Sequence, residues 1–176
     1  MSRLDIRIYG DDVLRKKAEP IKQITPELVD LAREMLQAMY DAPGIGLAAP
    51  QVGVPIRLIV VDVAKEDETP EPRIYFNPEI APEEEGENPL IPYEEGCLSV
   101  PDVYGDVMRP DRIRLKAQNE KGEWIEERNV CGLLSRCIQH EVDHLEGKLF
   151  VDLISAEDKA KNQAALRKLA ADQKKK

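Results

Sequence analysis

A chain of 176 residues with 42% hydrophobic content is long enough for one domain with a substantial core, and it needs no covalent staples. Its formal charge of -9 argues against nucleic-acid binding by the body of the chain, no apolar run approaches the length of a membrane span, and three unevenly spaced cysteines make no disulfide framework. Residues 1–7 carry neither the apolar stretch of a secretory signal nor an acid-poor transit composition, so the expected location is cytoplasmic, with no membrane partner and no specific DNA binding.

Taken in order, Glu19-Pro20 marks a first loop. Thr25 caps a helix with proline at its first position, and Leu28, Leu31, Ala32, Met35 and Met39 recur on one face until Pro43-Gly44 ends it. Gly44 to Gln51 is rich in glycine and alanine and suits close backbone approach. Alone it is equally an ordinary tight loop or a segment aiming the Gln51 amide at an oxygen that gains charge. Ile56 to Val63 is a β-branched buried strand, Lys65 to Pro72 an acidic loop, and Ile74-Tyr75-Phe76 a short strand. Pro82 to Pro89 reads as a second acidic, solvated loop. Arg112 to Ala117 alternates strictly, and Asn119 to Gly122 turns it back into Trp124-Ile125 as an antiparallel pair.

The chain holds only two histidines, and both fall in Gln139-His140-Glu141-Val142-Asp143-His144. Four residues apart on a helix, the imidazoles lie one turn apart on one face and can share a metal ion, while Glu141 leans toward the same side. A catalytic site of this kind takes a third protein ligand and leaves a place for water. Cys137 and His144 are separated by about 10.5 Å of helix rise, too far to converge on one ion with His140, and Cys131 is farther still. Cys137 therefore reads as packing, and Cys97, beside Gly96, is the candidate ligand. Asp143 reads most simply as a helix side chain in water, and Gly147 as the cap that ends the helix.

Three stretches, Gly44-Ile45-Gly46-Leu47-Ala48-Ala49-Pro50-Gln51, Glu95-Gly96-Cys97-Leu98-Ser99 and Gln139 to His144, resemble in order the three signature motifs of the peptide deformylases. The similarity runs to about Asp152. It implies a single α+β domain with antiparallel strands around the metal-binding helix and a further C-terminal helix, and removal of the formyl group from N-formyl-methionyl nascent chains with release of formate. It further implies one divalent ion on Cys97, His140 and His144. The family is known for iron(II), while the soft donor set suits zinc, and nickel or cobalt are substitutes. Glu141 takes the acid/base role, and the Gln51 amide and Leu98 N–H hold the oxyanion. The peptide lies along Gly44, Ile45, Gly46, Tyr93 and Gly96, with the methionine side chain against Leu133, Cys137 and part of His140. Arg136 falls where some relatives place an apolar pocket residue.

After Asp152 the composition changes, and Ser155-Ala156-Glu157-Asp158 caps a terminal helix. From Ser155 onward seven basic residues face three acidic ones, against 18 and 31 in the rest of the chain. The expected division is a catalytic domain over 1–152 and a helix with a basic tail over 153–176; in part of the resembled family this helix docks near the ribosomal exit, while the lysine cluster alone is equally a frayed, solvated chain end. Two rival readings differ in their ligands. A metalloprotease would draw its third ligand from downstream, where only Glu146 and Glu157 are on offer, and a structural module would need a fourth protein ligand that has no candidate.

Overall fold

The computed structural model describes residues 4–176. Its centre is a five-stranded antiparallel sheet in the order β1-β2-β3-β6-β7, formed by Gly46–Ala48 (β1), Leu58–Val61 (β2), Arg73–Pro82 (β3), Ile113–Gln118 (β6) and Trp124–Val130 (β7). Alternation along β2 explains its unbroken apolar run. Ile59 and Val61 pack with Cys137, Ile138, Val142 and Leu145 of helix α2 (Gly132–Leu145), whereas Leu58 and Val60 pack with Ala32, Met35 and Met39 of helix α1 (Pro26–Asp41). Each helix thus covers one face of the sheet. The Thr25 hydroxyl accepts from the Leu28 N–H at 3.3 Å, as the sequence leads one to expect of an N-cap.

A separate hairpin, β4 (Leu90–Cys97) and β5 (Val100–Pro110), stands beside the sheet. Strand pattern does not announce it, because Pro92, Gly96, Pro101 and Gly105 interrupt the runs. Such residues are tolerated here because the pair has two free edges. Its inward residues Val100, Val103 and Val107 form a third cluster with Leu149, Phe150, Val151 and Ile154, closed by Leu166 of helix α3 (Ala156–Lys174). The Ser155 hydroxyl caps α3 through the Asp158 N–H at 3.0 Å.

Two sequence expectations need correction. The strand read as Ile74 to Phe76 runs on to Pro82, bending at a register shift between Phe76 and Glu79 that puts Asn77 at φ 51°. The acidic loop after it is not simply solvated: Glu83 is buried and accepts from Arg128 Nε (2.9 Å), Arg128 Nη2 (3.0 Å) and the Asn129 N–H (3.0 Å). A buried carboxylate persists only with such partners.

The end of α2 is fixed tightly. Gly147 has φ +72°, its N–H donates to the His144 carbonyl at 3.1 Å, and the Lys148 N–H donates to the Asp143 carbonyl at 2.9 Å. A Cβ at Gly147 would collide with the backbone carbonyl of Arg15, whose guanidinium pairs with Asp152 at 2.6 Å. Gly147→Ala should therefore cost about 1 to 3 kcal/mol in denaturant unfolding, and an unchanged midpoint would contradict this account of the helix end.

Candidate active site

Helix α2 enters between the sheet and the hairpin, so its polar residues are buried from both sides. His140, Glu141 and His144 are all buried, and Phe150 stacks on the His140 ring at 6.0 Å between centroids. Cys97 arrives at the end of β4. The ligand atoms of Cys97, His140 and His144 lie within 4.8 Å of one another, with His144 Nε2 3.4 Å from Cys97 Sγ. Donors bound tetrahedrally at about 2.0 to 2.3 Å from one ion are about 3.3 to 3.8 Å apart, so this trio is near the spacing a metal requires. Cys137 stands outside the group. Burial holds its thiol pKa well above the ordinary value, and its Sγ–H is spent on the Ile45 carbonyl at 3.4 Å.

Electrostatics around the trio are set by Glu95. Its carboxylate accepts from His140 Nδ1 at 2.8 Å, from Arg109 Nε and Nη2 at 2.7 and 2.9 Å, and from Arg136 Nη1 at 2.7 Å. Burial pushes its pKa up, but the hydrogen bonds from Arg109 and His140 outweigh this and hold it at about 2. With Nδ1 turned to Glu95, the other nitrogen of His140 faces Cys97. Burial opposes charge on that ring, yet Cys97 and Glu95 hold its pKa well above the usual range. His144 is kept neutral by burial, then by the charges of His140, Arg109 and Arg15.

Asp143 is not a free helix side chain. It accepts from Arg109 Nη1 at 2.8 Å and so joins the Glu95 network. Glu95, Arg109 and Ser99 are functional neighbours that the sequence reading missed. The motif Glu95-Gly96-Cys97-Leu98-Ser99 singles out Glu95 over Glu94 without giving it a role, and the inward turn of Glu95 is legible only once the hairpin is known.

Gln51 Oε1 accepts the Ala48 N–H at 2.9 Å, which fixes the amide the right way round; its Nε2 donates to Ser99 Oγ at 3.0 Å and lies 3.4 Å from Cys97 Sγ. Leu98 occupies the two-residue turn between β4 and β5, adjoining Cys97. Gly46 is required by its neighbours, since a Cβ would lie 2.6 Å from Cys137 Sγ and 2.7 Å from Glu141 Oε1. Ile45 is held by the Asp62 N–H on its carbonyl at 2.9 Å, and Asp62 in turn accepts from the Tyr40 hydroxyl at 2.6 Å. One cavity of about 550 Å³ is bounded by Gly44, Ile45 and Gly46 on one side and by Tyr93, Gly96 and Leu98 on the other. Gln51, Cys97, Leu133, Cys137, His140 and Glu141 line it too. His144 lies behind it.

Among the described residues, the buried side-chain atoms without a hydrogen-bond partner are Glu141 Oε2 and His144 Nδ1. Leaving such atoms unpaired costs about 1 to 3 kcal/mol each, and both belong to the helix that carries the two histidines. Glu141 Oε2 stands beside soft sulfur and imidazole donors at coordination spacing, which fits a site for a divalent metal ion; the orphaned His144 Nδ1 is the ring nitrogen turned away from Cys97 and is no part of that fit.

A sequence model of the polypeptide deformylases matches residues 3–160. The chain belongs to the polypeptide deformylase family. Its activity is accordingly removal of the N-terminal formyl group from nascent peptides, a metal-dependent hydrolysis. A peptide deformylase of Mesorhizobium japonicum is 46% identical over 165 residues, covering 94% of this chain and 92% of the relative. One from Prochlorococcus marinus is 51% identical over 155 residues, covering 88% and 75%. A crystal structure of the Synechococcus elongatus peptide deformylase in complex with actinonin superposes with TM-score 0.82 at 43% identity, over 98% of this chain and 89% of that one. The Plasmodium falciparum peptide deformylase superposes with TM-score 0.89 at 35% identity, over 97% of both chains. The α+β architecture with its C-terminal helix is that of these deformylases.

Burial pushes the Glu141 carboxyl up from 4.5 to about 7; Glu95 and Asp143 raise it further, while His140 and Arg109 oppose. In metal-free protein the sign of this shift has a consequence for stability. The contribution of a protonated Glu141 is fully present below the unfolded pKa of 4.5 and is lost as pH rises through about 7. Glu141→Gln, neutral throughout, should therefore gain on the parent by up to about 3 kcal/mol between pH 5 and pH 8 in chemical unfolding, and a difference constant over that range would refute it.

Proposed function

We propose that deformylation proceeds on a single divalent ion held by Cys97, His140 and His144, with iron(II) the working metal and zinc, nickel or cobalt able to replace it. The observation that carries this reading is the meeting of those three donors with Glu141 and the Gln51 amide at the inner end of one cavity. When bound, the ion supplies a water activated at neutral pH and positive charge for the formyl oxygen. Glu141, buried beside the histidine donors, takes the proton of the attacking water and passes it to the departing amine. Gln51 Nε2–H and the Leu98 N–H donate to the formyl oxygen as it gains charge.

Substrates are N-formyl-methionyl peptides and nascent chains. Their backbone lies extended along Ile45 and Tyr93, close to Gly44, Gly46 and Gly96, and the methionine side chain enters between Leu133, Cys137 and His140. In this reading residues 1–152 are the catalytic unit and 153–176 an appended helix, anchored through Ile154 and Leu166. The exposed face of α3 carries Lys159, Lys161, Arg167 and Lys168, and the chain ends in three exposed lysines, which supports docking on an anionic surface such as the ribosome in the cytoplasm. No helix is long and apolar enough to cross a membrane among the described residues.

The deciding experiment measures formate released from a formyl-Met peptide by protein prepared without oxygen, beside aerobic and zinc-loaded samples. Glu141→Gln should keep a full equivalent of metal while its rate falls about 10² to 10⁴-fold, and Gln51→Leu should lose about 10² to 10³-fold with metal retained. Cys97→Ala should lose the metal and Cys137→Ala should keep it. Metal loss in Glu141→Gln, or equal loss in both cysteine variants, would sink the ligand assignment.

Docking is tested by charge. Glutamate at 159, 161, 167 and 168 should abolish a salt-sensitive association with ribosomes while short-peptide turnover stays within about twofold. An association insensitive to both salt and these changes would end the idea.

A further inference from the structure

This inference rests on the deformylase reading above and concerns Arg136, which lines the cavity beside Tyr93, Leu133 and Cys137. Its guanidinium is held on several sides. Nη1 donates to Glu95 Oε2 at 2.7 Å and to the Val107 carbonyl at 2.9 Å, Nη2 donates to the Ile91 carbonyl, and the group lies 5.4 Å from the centre of the Tyr93 ring. A guanidinium has five N–H donors, and these bonds engage three. The remaining two, the Nε–H among them, have no acceptor among the described residues, and the side chain keeps 11% of its exposure. The other walls of this part of the cavity are apolar: Ile45, Leu133, the Tyr93 ring and the neutral Cys137 thiol, which is already committed to a carbonyl.

We propose that Arg136 is a specificity residue that lets the methionine pocket take side chains ending in a neutral hydrogen-bond acceptor, so that peptides beginning with formyl-methionine sulfoxide are substrates alongside formyl-methionine. Oxidation of methionine places one strongly polar oxygen on the sulfur of an otherwise apolar stem. In a wholly apolar pocket that oxygen would lose its water without replacement. A guanidinium fixed by Glu95, two carbonyls and an aromatic ring offers donors already in place, so little ordering cost accompanies the new bond. A carboxylate side chain gains less, because Glu95 in contact with the same guanidinium balances its charge and repels a second anion. Deformylation thereby reaches nascent chains whose first residue has been oxidised.

The test compares kcat/KM for three formyl tripeptides alike but for their first residue, which is methionine, norleucine or methionine sulfoxide. Wild-type protein should process the sulfoxide within about tenfold of norleucine. Arg136→Leu should lower the sulfoxide rate about 10 to 100-fold relative to norleucine, and Arg136→Lys, which keeps a cation but loses the planar donor edge, should fall between. Rejection of the sulfoxide by more than about 100-fold in wild type overturns the proposal. A parallel loss on all three peptides in Arg136→Leu also overturns it, since Arg136 then serves only to hold β4. Should Arg136→Leu fail to fold, the wild-type ratio and Arg136→Lys decide. Formate from the methionine and norleucine peptides but not the sulfoxide defeats this inference alone, whereas no formate from any of them defeats the deformylase reading with it.

Discussion

Glu95 is the group on which the geometry depends. A carboxylate taken out of water is tolerable only when its lone pairs are filled, and here two guanidiniums and an imidazole fill them. The partners come from different elements: Arg109 from β5, Arg136 and His140 from α2. One buried charge therefore lashes the hairpin to the metal-binding helix, and Cys97, two residues farther along β4, is carried into reach of His144. Asp143 balances the second charge by pairing with Arg109 on the far side. Arg109 is the partner whose loss would cost most, because it supplies two of the bonds to Glu95 and also pairs with Asp143.

The opposite wall is made by close approach. Gly46 allows β1 to run against Cys137 and Glu141, and the 3-10 turn after β1 delivers Gln51 to the thiol of Cys97. Backbone bonds from residues near the N-terminus brace this wall, the Arg7 N–H on the Gln51 carbonyl at 2.6 Å and the Tyr9 N–H on the Ser99 carbonyl at 2.7 Å. Two segments far apart in sequence are thereby held by a third, which keeps the Gln51 amide beside the Cys97 sulfur.

What could be read from the sequence was whatever a single element determines. The spacing of His140 and His144, the caps at Thr25 and Ser155, the glycine at 147 and the elimination of Cys137 follow from helix geometry alone. What escaped reading depends on pairing between elements. Residue type and strand pattern alone do not separate Glu94 from Glu95 or give either a partner until the register of the hairpin turns Glu95 inward, and prolines and glycines conceal that hairpin. Asp143 looked solvated because nothing in the helix pattern shows that Arg109 lies across from it. Glu83 sat in a run of acids that suggests solvent, yet its partners are 45 and 46 residues away. Arg136 reads as a residue of uncertain place until three carbonyl and carboxylate acceptors are seen around it.

The clasp at the end of α2 joins Arg15 to Asp152, and the catalytic groups are spread from Gln51 to His144. Such contacts are non-local, so loop closure must precede any reward from the site, and folding should be correspondingly slow. During synthesis the first half of the molecule emerges with its sheet edge and Gln51 in hand but with no histidine to meet. Until the helix at 132–145 has left the ribosome, the growing chain has no place for a metal ion and cannot act on any other chain.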